Sequence, residues 1–324
     1  MPKPKLLYYA TLRYAPENLA VLDEAFNVIE LEHPHAETDE ILATVDAACA
    51  PLGTRFDAER MDRCTKLKAI LSNTTGVTHI DIDAAAIRGI KVFSLADEKE
   101  FLPGITSTAE HAFGLMLALL RHIPWSYSTV LIGEWNRFDH GATAMLSRMS
   151  LGVVGLGRLG RLMAGYGTAF GMEVRYFDPH VEAAPDTPER CESLIELAAE
   201  SDVMSLHVTA GESTRHLIGT EVLAALPAGA VLVNTARGEV VDESALIDAL
   251  ENGPLAGAAL DVLDGEFTPN FVPINNQLVQ YARKHENLLI TPHIGGSTKD
   301  AWRETQRRVA DRAIAFFAQQ GGTV

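Results

Sequence analysis

Short apolar runs alternate with stretches of helical period along nearly the whole chain. The first series of runs is KLLYYA from Lys5, FNVIEL from Phe26, ACAPLG from Ala48, KAILSN from Lys68 and KVFSL from Lys91, with helical patterns at residues 17–25 and 38–45. The second is LGVVGL from Leu151, EVRYFD from Glu173, VMSLHV from Val203, AVLVNTA from Ala230, AALDVL from Ala258 and NLLITPH from Asn287. Helical patterns at 158–170, 192–200, 220–226 and 243–251 lie between most of these. Strand and helix signals in alternation predict parallel βαβ units, and near-continuous apolar strands are those of a sheet covered on both faces. The expected class is therefore α/β, with a doubly wound parallel sheet in the second half. Two longer helical patterns, 108–122 and 297–319, sit at the joins, the latter opened by the capping pattern Ser297-Thr-Lys-Asp300. If the last helix packs back on the first series, residues 1–105 and 296–324 form one discontinuous domain around a second at 106–295.

The length of 324 residues suits two domains of ordinary size, each with its own core. Hydrophobic residues at 47% and charged residues at 22% exclude a disordered chain or a fibre. A formal charge of −16 repels phosphate backbones and anionic lipid, so neither nucleic acid nor a membrane surface is an expected partner. The most apolar segment, 113–120, is about half of the roughly 20 residues a membrane span needs. The N-terminus reads as a strand and not as a signal peptide. Cys49, Cys64 and Cys191 are widely spaced and odd in number, which argues against a disulfide framework and for a cytoplasmic location. Residues 14–54 carry nine acids and no Lys or Arg, read as a solvated acidic face. His33 and His35 lack a third ligand, and no metal is expected.

Gly155-Leu-Gly157-Arg-Leu-Gly160 follows the strand LGVVGL directly and opens a helical pattern. Alone GxGxxG is a weak signal. Here Gly155 permits a tight turn, Gly157 admits a pyrophosphate, Gly160 allows close helix packing, and the helix start offers oriented N–H donors. The next strand ends at Asp178, 18 residues past Gly160, where a carboxylate can accept hydrogen bonds from the adenosine ribose hydroxyls. It would repel the extra phosphate of NADP, so NAD is the expected cofactor.

With VVGLGRLGR from Val153, the stretches SLHVTAGESTRHLIG from Ser205, VNTARGEVVDESALIDALENG from Val233, GAALDVLDGE from Gly257 and NLLITPHIGGST from Asn287 resemble, in order, the NAD-dependent D-2-hydroxyacid dehydrogenases. That family includes phosphoglycerate, glycerate and D-lactate dehydrogenases. The resemblance implies a Rossmann cofactor domain inserted into a smaller flavodoxin-like substrate domain, and an oxidoreductase moving hydride between NAD(H) and a small D-2-hydroxy or 2-oxo acid. It places the catalytic Arg on Arg237, the Glu on Glu266 and the His on His293. The chemistry asks for the same types. A 2-hydroxy acid losing hydride needs a base, which neutral imidazole suits; a carboxylate orients that imidazole, and a guanidinium fork grips the substrate carboxylate. Beyond the glycines and Asp178, the resemblance implies cofactor contacts at Arg158, Leu159, His207, Thr209 and Thr214. It adds Thr235, Ala236, Arg237, Asp261 and His293, with Asp261 meeting the nicotinamide carboxamide. It implies substrate contacts at Asn73, Thr75, Gly76 and Val77, through backbone N–H groups, and at Arg237.

Each residue has a bland alternative. A lone His after Thr-Pro is more often structural, and a plain turn would explain 73–77; the joint occurrence of three motifs reverses the first of these. His111 and His122 are expected to serve the packing or the ends of the helix at 108–122. Two departures bear on substrate choice. Phe267 follows Glu266 where the family usually has Pro, and 26 residues separate Glu266 from His293. Segments 94–106 and 267–286 look long for the family. A dinucleotide-sensing, corepressor-like interaction protein would keep the same triad and is the rival reading. Apolar surface in 108–122 and 125–149 beyond what one domain edge needs predicts a homodimer through the cofactor domain.

Overall fold

The computed structural model describes residues 2–183, 188–268 and 270–320. The chain divides into two compact units, one of Met1–Ile105, Phe267–Phe271 and Ser297–Val324, the other of Thr106–Glu266 and Val272–Gly296.

The first unit is a five-stranded sheet of β1 (Lys5–Tyr9), β2 (Asn27–Leu31), β3 (Ala47–Cys49), β4 (Ala69–Leu71) and β5 (Lys91–Phe93). Its order is β2-β1-β3-β4-β5 and every pairing is parallel. This is the flavodoxin-like order. Side chains alternate faces as a strand requires. Leu6 and Tyr8 face a core completed by Leu22, Phe26 and, from the helix Lys299–Gln320, Val309, Ala310 and Ala313. Leu7 and Tyr9 face the opposite core, with Met61, Ala84 and Ala85. The C-terminal helix thus belongs to this unit. Its cap is Thr298, whose Oγ1 accepts from Ala301 N at 3.3 Å, one residue later than the Ser297 expected. Residues 38–45 hold only one helical turn, Asp39–Leu42, because the chain must straighten to enter β3.

The acidic stretch is not solvated throughout. The Glu37 side chain is only 7% exposed, paired with the buried Arg60 and hydrogen-bonded to Tyr9 Oη, while Asp39 pairs with Arg63 at 2.7 Å. The guanidinium of Arg60 lies 4.4 Å over the Phe56 ring, so a carboxylate and an aromatic face together satisfy a charge that could not be buried alone.

The second unit is a seven-stranded sheet of β6 (Ser150–Val154), β7 (Glu173–Phe177), β8 (Glu189–Arg190), β9 (Val203–Leu206), β10 (Ala230–Asn234), β11 (Leu255–Leu260) and β12 (Leu288–Ile290). All pairings are parallel in the order β12-β11-β10-β9-β6-β7-β8, the Rossmann arrangement with one further strand. Leu151, Val153, Val203, Val231 and Val233 meet Ala112, Met116 and Leu119 of the helix Ser107–Leu120 and Met163 of Arg158–Ala169. Helices Leu194–Ala199, Thr220–Ala225 and Glu243–Glu251 pack side by side as a second layer, with contacts to β6, β7 and β11.

Candidate active site

Because the second sheet is all parallel, its strands deliver their C-terminal ends to one edge, where ligands bind in folds of this kind. Gly155 follows β6, Asp178 follows β7, His207 follows β9, Thr235 to Arg237 follow β10, Asp261 and Glu266 follow β11, and His293 follows β12.

The glycine loop is built as a phosphate cradle. Gly155 has φ +88°, and a Cβ on Gly160 would lie 2.0 Å from the Gly155 carbonyl oxygen, so only hydrogen fits where the helix Arg158–Ala169 starts. Gly157 is exposed with nothing within 4 Å of a Cβ position, which leaves its backbone open to a ligand. Asp178 Oδ2 accepts from Leu156 N at 2.8 Å and Oδ1 from His180 N at 2.8 Å, fixing the carboxylate beside the loop. His207 donates its backbone N–H to Val154 O, and its Nε2 lies 2.9 Å from Ser205 Oγ. Burial lowers its pKa to about 4, so the ring is neutral beside the loop at ordinary pH. Thr214 Oγ1 donates to Thr209 O at 2.7 Å and closes that turn. The hydroxyl of Thr235, a residue only 6% exposed, has no hydrogen-bond partner among the described residues. A buried hydroxyl without a partner is costly, and its place at a strand end of this edge, together with the cradle, fits a dinucleotide.

The three residues expected for chemistry sit on three adjacent strand ends. His293 Nδ1 is 2.8 Å from Glu266 Oε1. His293 itself has φ +53°, the left-handed region rare for a residue with a Cβ. The turn is held by Asp261, which is 2% exposed. Its Oδ1 accepts from Thr291 Oγ1 (2.6 Å) and Ile294 N (2.9 Å), its Oδ2 from Gly295 N (2.7 Å), and its carbonyl from His293 N (2.9 Å). His111 Nε2 lies 3.0 Å from Thr291 Oγ1 and 3.3 Å from Asp261 Oδ1. Since the Thr291 proton goes to Asp261, Thr291 accepts from His111. His111, expected to serve packing or the helix end, instead reaches this clamp.

Arg237 is shaped by a residue that no motif in the sequence singles out. Asn234, 1% exposed, accepts from Ala236 N at 2.9 Å and donates to Arg237 O at 2.9 Å, an Asx-type turn whose signal is the Asn ending an apolar strand. Arg237 Nη1 also donates to Ala236 O. A Cβ on Gly238 would lie 2.0 Å from Leu263 C, so this glycine lets the Arg237 turn press against the backbone leading to Glu266. Glu243 holds that backbone by accepting from Asp264 N at 3.0 Å and from Asn276 Nδ2 at 3.0 Å.

In the first unit, the loop after β4 contains Asn73, Thr75, Gly76 and Val77. Ser72 N donates to Phe93 O and Leu95 N to Thr74 O, tying the loop to the chain at β5. None of the five amides from Asn73 to Val77 donates to another described residue. Among the described residues there is no group of three or more metal-ligating side chains, and no helix long and apolar enough to cross a membrane.

The profile of the D-isomer specific 2-hydroxyacid dehydrogenase NAD binding domain matches residues 113–295. D-3-phosphoglycerate dehydrogenase of Bacillus subtilis is 35% identical over 283 residues, 87% of this chain and 51% of that protein, so the chain spans about half the length of that relative. Glyoxylate reductase of Thermococcus litoralis is 35% identical over 329 residues, covering 97% of this chain and 94% of that protein. The crystal structure of D-lactate dehydrogenase from Aquifex aeolicus, complexed with NAD and lactic acid, is similar with a TM-score of 0.82 at 28% identity, covering 97% of this chain and 96% of that one. The chain belongs to the D-isomer specific 2-hydroxyacid dehydrogenases. Residues 113–295 lie in its NAD-binding domain. The interaction-protein reading finds no support among these relatives.

Proposed function

We propose that the protein transfers a hydride between NAD(H) and a small D-2-hydroxy acid or its 2-oxo acid, with Arg237, Glu266 and His293 as its catalytic residues. The 2.8 Å contact between His293 Nδ1 and Glu266 carries this reading. With Glu266 ionised, Nδ1 donates to it, and Nε2 is the nitrogen that exchanges a proton with the substrate oxygen. NADH, when bound, supplies the hydride. In reduction His293 gives its proton to the oxygen at C2, and in oxidation it takes that proton back, with Glu266 stabilising the imidazolium. Arg237 grips the substrate carboxylate and polarises the C2 carbonyl. The loop Asn73, Thr75, Gly76 and Val77, with its unengaged amides, supplies further N–H donors to that carboxylate. Gly155, Gly157, Arg158, Leu159 and Gly160 take the pyrophosphate and Asp178 the ribose. His207, Thr209 and Thr214 attend the adenosine side, and Thr235, Ala236 and Asp261 the nicotinamide side.

The smaller unit is then the substrate domain and the larger the cofactor domain. The partner is a second copy of this chain docked through the cofactor domain, for reasons of surface argued below. The three cysteines are free and buried, and burial raises Cys49 to about 12, which suits a reducing cytoplasm and inert thiols. A panel of glyoxylate, hydroxypyruvate, pyruvate and 3-phosphohydroxypyruvate, read from NADH absorbance, tests the activity and ranks the substrates. Turnover with none of them defeats the reading. Asp178 at the ribose position predicts tighter NADH than NADPH, and equal dissociation constants would remove that assignment.

A further inference from the structure

Beneath the loop of unengaged amides lies a line of polar side chains to which nothing above gives a role. Ser72 is 1% and His79 4% exposed. His79 Nε2 is 3.1 Å from Ser72 Oγ, Ser72 Oγ is 2.7 Å from Thr74 Oγ1, and Thr74 Oγ1 is 2.7 Å from Gly76 O. The direction of the line follows from counting protons. A carbonyl oxygen only accepts, so the single proton of Thr74 goes to Gly76 O. Thr74 must then accept from Ser72, whose own proton is thereby used, and Ser72 must accept from His79. His79 is therefore protonated on Nε2.

The last bond sets the orientation of a peptide. In a trans peptide the carbonyl and the following N–H point to opposite sides. With Gly76 O drawn to Thr74, the N–H of Val77 is turned away from it, toward a side where no described acceptor of the chain meets it. A chain of hydrogen bonds running one way polarises each member, and each also removes a rotor that would otherwise let the peptide flip. We propose that His79, Ser72 and Thr74 form a one-way hydrogen-bond chain that holds the Gly76–Val77 peptide ready for the substrate carboxylate, which makes them positioning residues of the substrate loop. This rests on the reading of 73–77 as the carboxylate loop given above.

The test uses the full chain with NADH and glyoxylate, the smallest 2-oxo acid, whose recognition rests on its carboxylate and carbonyl. Thr74→Val keeps the shape and removes the hydroxyl; Ser72→Ala cuts the chain in the middle. Each is expected to raise KM for glyoxylate by roughly 3- to 10-fold, the worth of one hydrogen bond, while kcat and the dissociation constant of NADH hold. Thr74→Ser and His79→Gln, which keep a donor in place, should restore KM. A Thr74→Val enzyme that loses NADH affinity and kcat as much as KM would show a merely structural role and overturn the proposal. Val77→Pro, which removes the N–H itself, separates the two readings. If it raises KM while Thr74→Val does not, the chain is refuted and the loop stands; if it leaves KM unchanged, the loop does not hold the carboxylate and both fall. Nitrogen NMR of imidazole-labelled wild-type protein gives a readout independent of any variant. A proton on His79 Nε2 supports the chain, and its absence there reverses the direction and overturns it.

Discussion

His293 sits at φ +53°, which costs a non-glycine residue about 1–3 kcal/mol, so something must hold it there. The carboxylate of Asp261 does so by taking the N–H groups of Ile294 and Gly295 and the hydroxyl of Thr291. Asp261→Asn would set an NH2 against donors, and the turn should relax. We expect kcat to fall roughly 10- to 100-fold as charge-assisted bonds are lost, measured at saturating NADH. His293→Ala should cost roughly 10² to 10⁴ of turnover while NADH still binds; near-normal turnover on the best substrate would overturn the mechanism. His207 carries a pH dependence of stability. Its folded pKa, about 4, lies below the 6.5 of an ordinary imidazole, so between those values the unfolded chain binds more protons and stability rises with pH. The contribution of the neutral ring is present above about 6.5 and is lost as pH falls toward about 4. Melts across that range should show His207→Asn closing on the wild type as the pH drops, and a constant difference would contradict it.

At the scale of elements, the glycine loop makes the sharpest claim. A methyl at residue 160 cannot lie 2.0 Å from the Gly155 carbonyl, so in Gly160→Ala the helix Arg158–Ala169 must back away from β6. Overpacking of this kind costs about 1–3 kcal/mol, and the displaced N-terminus should weaken NADH further; calorimetric titration beside a melting curve checks both. An unchanged midpoint would mean the loop yields at no cost. This loop was readable from sequence because its glycines, its strand and its acid stand at fixed offsets, and the long strands because both faces are apolar. The strand β8 was not, since two polar residues, Glu189 and Arg190, give no periodic signal. Nor was the clamp of His111, Asp261 and Thr291, whose members are far apart in sequence and individually ordinary. Asn234 stood in view at the end of its strand, but its role appears only when both its amide atoms are seen closing the Arg237 turn. The line through Ser72, Thr74 and His79 has spacings of two and five residues that match no periodic pattern, so it becomes visible only once the chain has folded back on itself.

For the whole molecule, the decisive surface is the one a monomer should not have. The helix Ile123–Leu131 buries none of its residues, and the segment after it exposes Ile132 at 75%, Trp135 at 89% and Phe138 at 78%. Apolar surface of that extent, contiguous in sequence, marks an interaction site rather than ordinary exposure. A net formal charge of −16 disfavours association through polar surface, so the homodimer proposed above would form at this local apolar face. A second copy is the occupant that needs no other gene product, and a two-fold pairing would bury each of these residues twice. Specific interfaces cover about 1,200–2,000 Å² in total and draw most of their energy from aromatic anchors, a part Trp135 and Phe138 suit. Light scattering at micromolar concentration should therefore give near twice the 35.1 kDa chain mass. Because two-fold symmetry doubles every substitution, Trp135→Arg or Leu131→Asp places two charges in one apolar contact. Either should yield a monomer whose circular dichroism is unchanged. A monomeric wild-type protein would remove the homodimer, and a dimer indifferent to both substitutions would move it to another face.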